Sequence, residues 1–232
     1  MPFQPRYIVP NAASAANLAC GFCSLLAAAR GEFDLAVHLL LIAIVLDMCD
    51  GRLARALGAT SKFGQEIDSF CDALSFCAAP AFLVYQAVLQ PLGAAGVSVA
   101  VFYLLAGVFR LARFNLTSDV HVKASRTVGV PTPIGAGYLM ALALMRDQVT
   151  AEAGAAVVIV MSLLMLSRWG LPELKGRSVV SAMLIVGVAN YLAVVIHPSW
   201  TTVGWWNLWN VAIVIAARAG ERRAESSQAT TN

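Results

Sequence analysis

Long apolar runs alternate with short polar interruptions along most of the chain. A helix that crosses about 30 Å of hydrocarbon needs about 20 mostly apolar residues, each rising about 1.5 Å. Eight stretches approach or meet that length: 11–29, 35–56, 66–90, 93–113, 131–146, 151–168, 178–197 and 201–218. The first is rich in alanine. The fifth is short and follows Pro131 and Pro133, which suit a first helical turn. The pattern predicts an all-α polytopic membrane protein with eight candidate transmembrane helices. One membrane domain is expected over 1–219, and the polar tail 220–232 is expected to be disordered and cytoplasmic.

Composition supports a bilayer as solvent. Hydrophobic residues make up 59% of the 232 and charged residues 12%, against roughly 45–50% and 25% in soluble domains. The net charge of +3 suits contact with anionic lipid. Membrane lipids are expected neighbours and nucleic acid is not. No cleavable leader is expected, because one Arg and two early prolines precede any apolar run and the first run is too weak for a removable leader. Cys20 and Cys23 form a C-x-x-C inside the first apolar stretch without a second pair, so packing is their expected role.

Charge also orients the chain. With the N-terminus inside, fourteen Lys and Arg fall on inner segments, and only Arg30 and Arg146 fall outside. Such an imbalance predicts cytoplasmic termini in a multi-pass inner-membrane protein.

The stretch from Asp47 to Asp72 reads DMCDGRLARALGATSKFGQEIDSFCD. Asp47 and Asp50 are three apart, and Asp68 and Asp72 four apart, so each pair shares a helix face. A short turn around Gly58 and Gly64 would let the two acidic faces meet. An aspartate at the centre of a membrane helix costs about 2.5–3.5 kcal/mol on insertion scales, and like charges add repulsion. Bound cations resolve both problems. Carboxylate oxygens suit Mg²⁺, Mn²⁺ or Ca²⁺, and no His or Cys stands at zinc spacing. Gly51 lets a ligand approach the backbone, Ala54 keeps its face open, and Arg55 can hold phosphate oxygens.

The full pattern, D-x-x-D-G-x-x-A-R-x8-G-x3-D-x3-D, is met at Asp47, Asp50, Gly51, Ala54, Arg55, Gly64, Asp68 and Asp72. It resembles the signature of the CDP-alcohol phosphotransferases. The resemblance implies two divalent cations, Mg²⁺ or Mn²⁺, held by Asp47, Asp50 and Asp68. Asp72 would contribute to the metal site and serve as general base. The CDP-lipid pocket would be lined by Gly51, Ala54, Arg55 and Gly64, and the resemblance implies a six-helix core, here followed by two further C-terminal transmembrane helices, and a homodimer.

Three further segments resemble the CDP-diacylglycerol–serine branch of that family. They are Pro10, Asn11, Ser14, Asn17 and Gly21 in PN-x-x-S-x-x-N-x-x-x-G, FRLARFN over 109–115, and VPTPIGAG over 130–137. The branch implies phosphatidyl transfer from CDP-diacylglycerol to L-serine, with Asn17 on the CDP-lipid. Arg110, Arg113, Asn115, Lys123 and Arg126 are the candidates for acceptor binding, since guanidinium forks suit carboxylate or phosphate. Glycerol phosphate, inositol, inositol phosphate and choline are the alternative acceptors. A cation transporter is the rival from another class, and it predicts carboxylates near the bilayer midplane and repeat symmetry.

Overall fold

A computed structural model describes residues 8–56, 58, 61–118, 127–168, 170, 171, 187, 189–212 and 215. Helices dominate them. In order these are α1 (Ile8–Ala29), α2 (Phe33–Ala56), α3 (Lys62–Leu92), α4 (Ala94–Ser118), α5 (Thr132–Leu144) and α6 (Ala151–Leu166). The six expected core helices are all present, and all eight expected segments contain described helical residues. Residues 178–186 of the seventh segment and most of 213–218 of the eighth lie outside the described set. So do the tail 220–232, Lys123 and Arg126.

Among the described residues, three helical stretches are long and apolar enough to cross a membrane: Asn11–Ala29, Lys62–Leu92 and Ala94–Leu116. α2 has the length, with 24 residues, but carries Asp34, Asp47 and Asp50. α5 and α6 are apolar and shorter. Large apolar side chains such as Phe22, Leu26, Ile42, Val101, Leu105 and Leu163 face outward. In water such a surface would drive association; in a bilayer it is ordinary.

Two units are distinguished: Met1–Asn115 with Pro131–Leu166, and Leu116–Val130 with Ser167–Asn232. The first holds all four aspartates of the motif. Small residues bring its helices close, as membrane helices require. α1 lies against α2, where Ala27, Ala28, Ala36 and Val37 are buried and Ser24 Oγ donates to Ala36 O at 2.9 Å. Gly21 of α1 meets Ser75 of α3 so closely that an added β-carbon would collide with its hydroxyl and lie 3.0 Å from its Cα. Gly107 of α4 meets Cys77 of α3 in the same way.

α3 is not uniformly wound. Ser61 caps it, accepting from Gly64 N at 3.0 Å. Wide turns then occupy Ala73–Ala78 and Tyr85–Leu89. Gly93 takes φ 55 where α3 gives way to α4, a conformation that suits glycine. Its 31 residues span about 46 Å, more than the hydrocarbon thickness, so one end must emerge into polar surroundings.

Two of the differences in boundary from the sequence expectation bear on the site. α4 continues to Ser118 rather than stopping at 113, because nothing in NLTS breaks it. Asn115 is therefore a helical residue. Gly64 lies in the first turn of α3, not in the connecting turn.

In the second unit, Thr127–Val128 pairs antiparallel with Gly170–Leu171. Residues 189–196 and 200–212 are helical. Ser199 and Thr202 cap the latter reciprocally, each side chain accepting from the other's backbone N–H. The rings of Tyr191 and Trp206 stack tilted, 5.4 Å between centroids.

Candidate active site

The C-terminal half of α2 carries Asp47 and Asp50, and the start of α3 carries Asp68 and Asp72. One oxygen from each of Asp47, Asp50 and Asp68 lies within 4.8 Å of the others. Asp72 lies within hydrogen-bonding reach of Asp47. All four motif aspartates thus face one another, as the two helix-face spacings require. α1 supports them from the side: Ser14 Oγ donates to Asp50 Oδ2 at 2.8 Å.

The surroundings leave polar atoms for a ligand. Among the described residues, buried atoms without a hydrogen-bond partner include Asp68 Oδ1, Asp72 Oδ1, Arg110 Nε and both amide atoms of Asn17. Native interiors pair nearly all such groups, so a cluster of exceptions asks for a partner from outside the chain. Asn17 is wholly buried on α1, and its backbone carbonyl accepts from Ser75 Oγ at 3.2 Å. Arg110 lies on α4 within electrostatic range of Asp72.

The donor set fits divalent cations. Hard carboxylate oxygens gather from two helices, and two of them are buried without partners, a costly arrangement unless positive charge is supplied.

The remaining predicted residues are placed as follows. Gly64 sits beside Ser61 and Asn11, and an added β-carbon would lie 3.1 Å from Ser61 Oγ and 3.7 Å from Asn11 Oδ1. Gly51, Ala54 and Arg55 belong to the last turns of α2, and their side-chain surroundings lie outside the described set. Asn115 Nδ2 donates to Ser69 Oγ at 2.9 Å, tying α4 to the start of α3. Arg113 donates to Leu166 O at 3.1 Å and Met165 O at 3.2 Å, so its fork caps the C-terminus of α6. Sequence reasoning did not foresee that cap, nor the Ser14–Asp50 bond. Ser14 carried a signal only through its place in the N-terminal motif.

Helices of this length and apolarity define an integral membrane protein, and its carboxylate cluster is of a kind that could hold divalent cations. The comparisons narrow that class. The family model described as CDP-alcohol phosphatidyltransferase matches residues 7–172, and the chain belongs to that family. The CDP-diacylglycerol–serine O-phosphatidyltransferase of Helicobacter pylori is 31% identical over 181 residues, covering 75% of this chain and 76% of the relative. That of Bacillus subtilis is 29% identical over 167 residues, covering 72% and 91%. An archaetidylserine synthase of Methanothermobacter thermautotrophicus is 30% identical over 177 residues, covering 75% and 73%.

Proposed function

We propose that the protein transfers the phosphatidyl group of CDP-diacylglycerol to the hydroxyl of L-serine, giving phosphatidylserine and CMP in phospholipid biosynthesis. The observation that carries this reading is the meeting of Asp47, Asp50 and Asp68 beside Asp72 and a buried, incompletely paired Arg110. The names of the similar proteins supply the acceptor. The relative named archaetidylserine synthase also carries serine in the name of its product.

Asp47, Asp50 and Asp68, with a contribution from Asp72, would hold two Mg²⁺ or Mn²⁺ ions. Such ions, when bound, neutralise pyrophosphate and favour departure of CMP. The protein's own side chains bind, orient and move the proton. Ser14 fixes one oxygen of Asp50 and so limits how that carboxylate can turn. Asn17, Gly51, Ala54, Arg55 and Gly64 would receive the CDP moiety. Arg110 supplies a guanidinium for the serine carboxylate, while Arg113 and Asn115 hold α4 against α6 and α3 around it. Asp72 accepts the serine hydroxyl proton as the oxygen bonds to phosphorus; position contributes as much to this step as basicity.

The membrane domain runs to 219 in this reading and works as a homodimer, with its site at the cytoplasmic face of the inner membrane. The placing of charge supports that orientation. Arg146 pairs with Asp34 at 3.1 Å at the end of α2 remote from the acidic cluster, whereas Arg110 lies within range of Asp72. Gathering of the acids towards helix ends, together with the family match, disfavours an ion path.

The test offers purified protein CDP-diacylglycerol, with Mg²⁺ or Mn²⁺, and one alcohol at a time. Serine, glycerol phosphate, inositol, inositol phosphate and choline form the panel. CMP release with serine alone is expected. Release with another alcohol and not with serine would keep the transferase and remove serine.

A further inference from the structure

We propose that Tyr103 is a positioning residue for Asp72, acting through the wide turn Ala73–Ala78 of α3. The inference rests on the transferase reading above. It begins with a proline. Pro80 lies inside α3 and has no N–H, so the carbonyl four residues earlier, that of Phe76, loses its ordinary α-helical donor. Phe76 is wholly buried, where water cannot substitute. The hydroxyl of Tyr103, on α4, donates to that carbonyl at 3.2 Å. A neighbouring helix thus repairs the gap, as membrane helices with internal prolines require.

The repaired segment is the one that sets the direction of Asp72. Winding changes at Ala73, immediately after Asp72, and Ala79 N–H reaches back five residues to Leu74 O. Below the turn, Leu83, Val84 and Leu89 are fully buried and anchor the rest of α3. Above it stand Asp72 and Asp68. A single wide turn rotates one part of a helix against the other, and such turns occur often at functional sites. The carboxyl of Asp72 therefore takes its bearing from the anchored part through Ala73–Ala78, and Tyr103 fixes that turn from outside.

The pocket around Tyr103 is built for it. Tyr103 is fully buried, and its hydroxyl would lie 3.0 Å from a β-carbon placed on Gly135 of α5, with Met165 Sδ of α6 also adjacent. Glycine at 107 lets α4 approach Cys77 within the same turn. A phenylalanine at 103 would fill the same space and lose only the donor.

Two variants test this by steady-state kinetics of CMP release and by thermal unfolding in detergent. Tyr103→Phe is expected to lower kcat by roughly ten- to a hundredfold, the scale of a misplaced reacting group. At saturating Mn²⁺, KM for both substrates should stay within about twofold, because the side chains that bind them are unchanged. Pro80→Ala returns an N–H opposite Phe76 O, so Tyr103→Phe/Pro80→Ala should recover to within about threefold of the parent kcat. A Tyr103→Phe enzyme that melts earlier but keeps its kcat and KM would overturn the inference, and so would a double variant as impaired as the single one. Should Tyr103→Phe fail to fold, the double variant alone decides by the same threshold. Silence of the parent protein toward every acceptor would instead overturn the transferase reading, and this inference with it. An active parent beside an unimpaired Tyr103→Phe removes only the inference.

Discussion

Ser14 reaches Asp50 from another helix, 36 positions away in sequence. A hydrogen bond to a ligand carboxylate orients it, and losing such a bond typically costs ten- to a hundredfold in metal affinity. Ser14→Ala is therefore expected to weaken Mn²⁺ binding by roughly tenfold or more, with kcat largely recovered at saturating Mn²⁺. A Mn²⁺ titration of CMP release reads both quantities. The aspartates themselves were legible from spacing, since intervals of three and four put each pair on one helix face and a short turn lets the two faces meet. Ser14 was not, because no periodicity links it to Asp50. Arg113 was ambiguous for a different reason: an arginine at a helix end can bind a ligand or cap a neighbour, and only the positions of the Met165 and Leu166 carbonyls reveal the cap.

Among elements, the joint between α1 and α3, where Ser75 Oγ donates to Asn17 O, sets how closely α3 lies beside α1. Gly21 permits that joint, and even a methyl group there collides with Ser75. Overpacking of this kind costs about 1–3 kcal/mol. Gly21→Ala should accordingly lower the unfolding midpoint in detergent and reduce activity together, whereas Gly204→Ala, a helical position with open space around it, should leave both near the parent values. Apolar length made the six core helices readable. Their winding was less so: Pro80 stands in plain view, yet the wide turn before it depends on Tyr103 arriving from α4. The extension of α4 to Ser118 was missed because a fall in hydropathy marks where a helix leaves the bilayer, not where it stops being a helix.

For the whole molecule, the asymmetry of Lys and Arg predicts both termini on the cytoplasmic side. A fluorescent protein fused after Asn232 should fluoresce, and alkaline phosphatase fused at the same point should be inactive; the reverse pair would invert the topology. Fold class and reaction chemistry were legible because a bilayer demands apolar length and the motif demands facing carboxylates. The acceptor was legible only through resemblance, since arginines at inner helix ends satisfy charge asymmetry and ligand binding alike. The central claim is a carboxylate-held, divalent-cation-dependent transfer with Asp72 as base. Serine-dependent CMP release from CDP-diacylglycerol tests it most directly, measured for the parent protein with Mn²⁺, with chelator, and for Asp72→Asn. The account predicts release that chelator abolishes and that Asp72→Asn lowers by about a hundredfold or more. Undiminished release from Asp72→Asn, or release that persists in chelator, would contradict it.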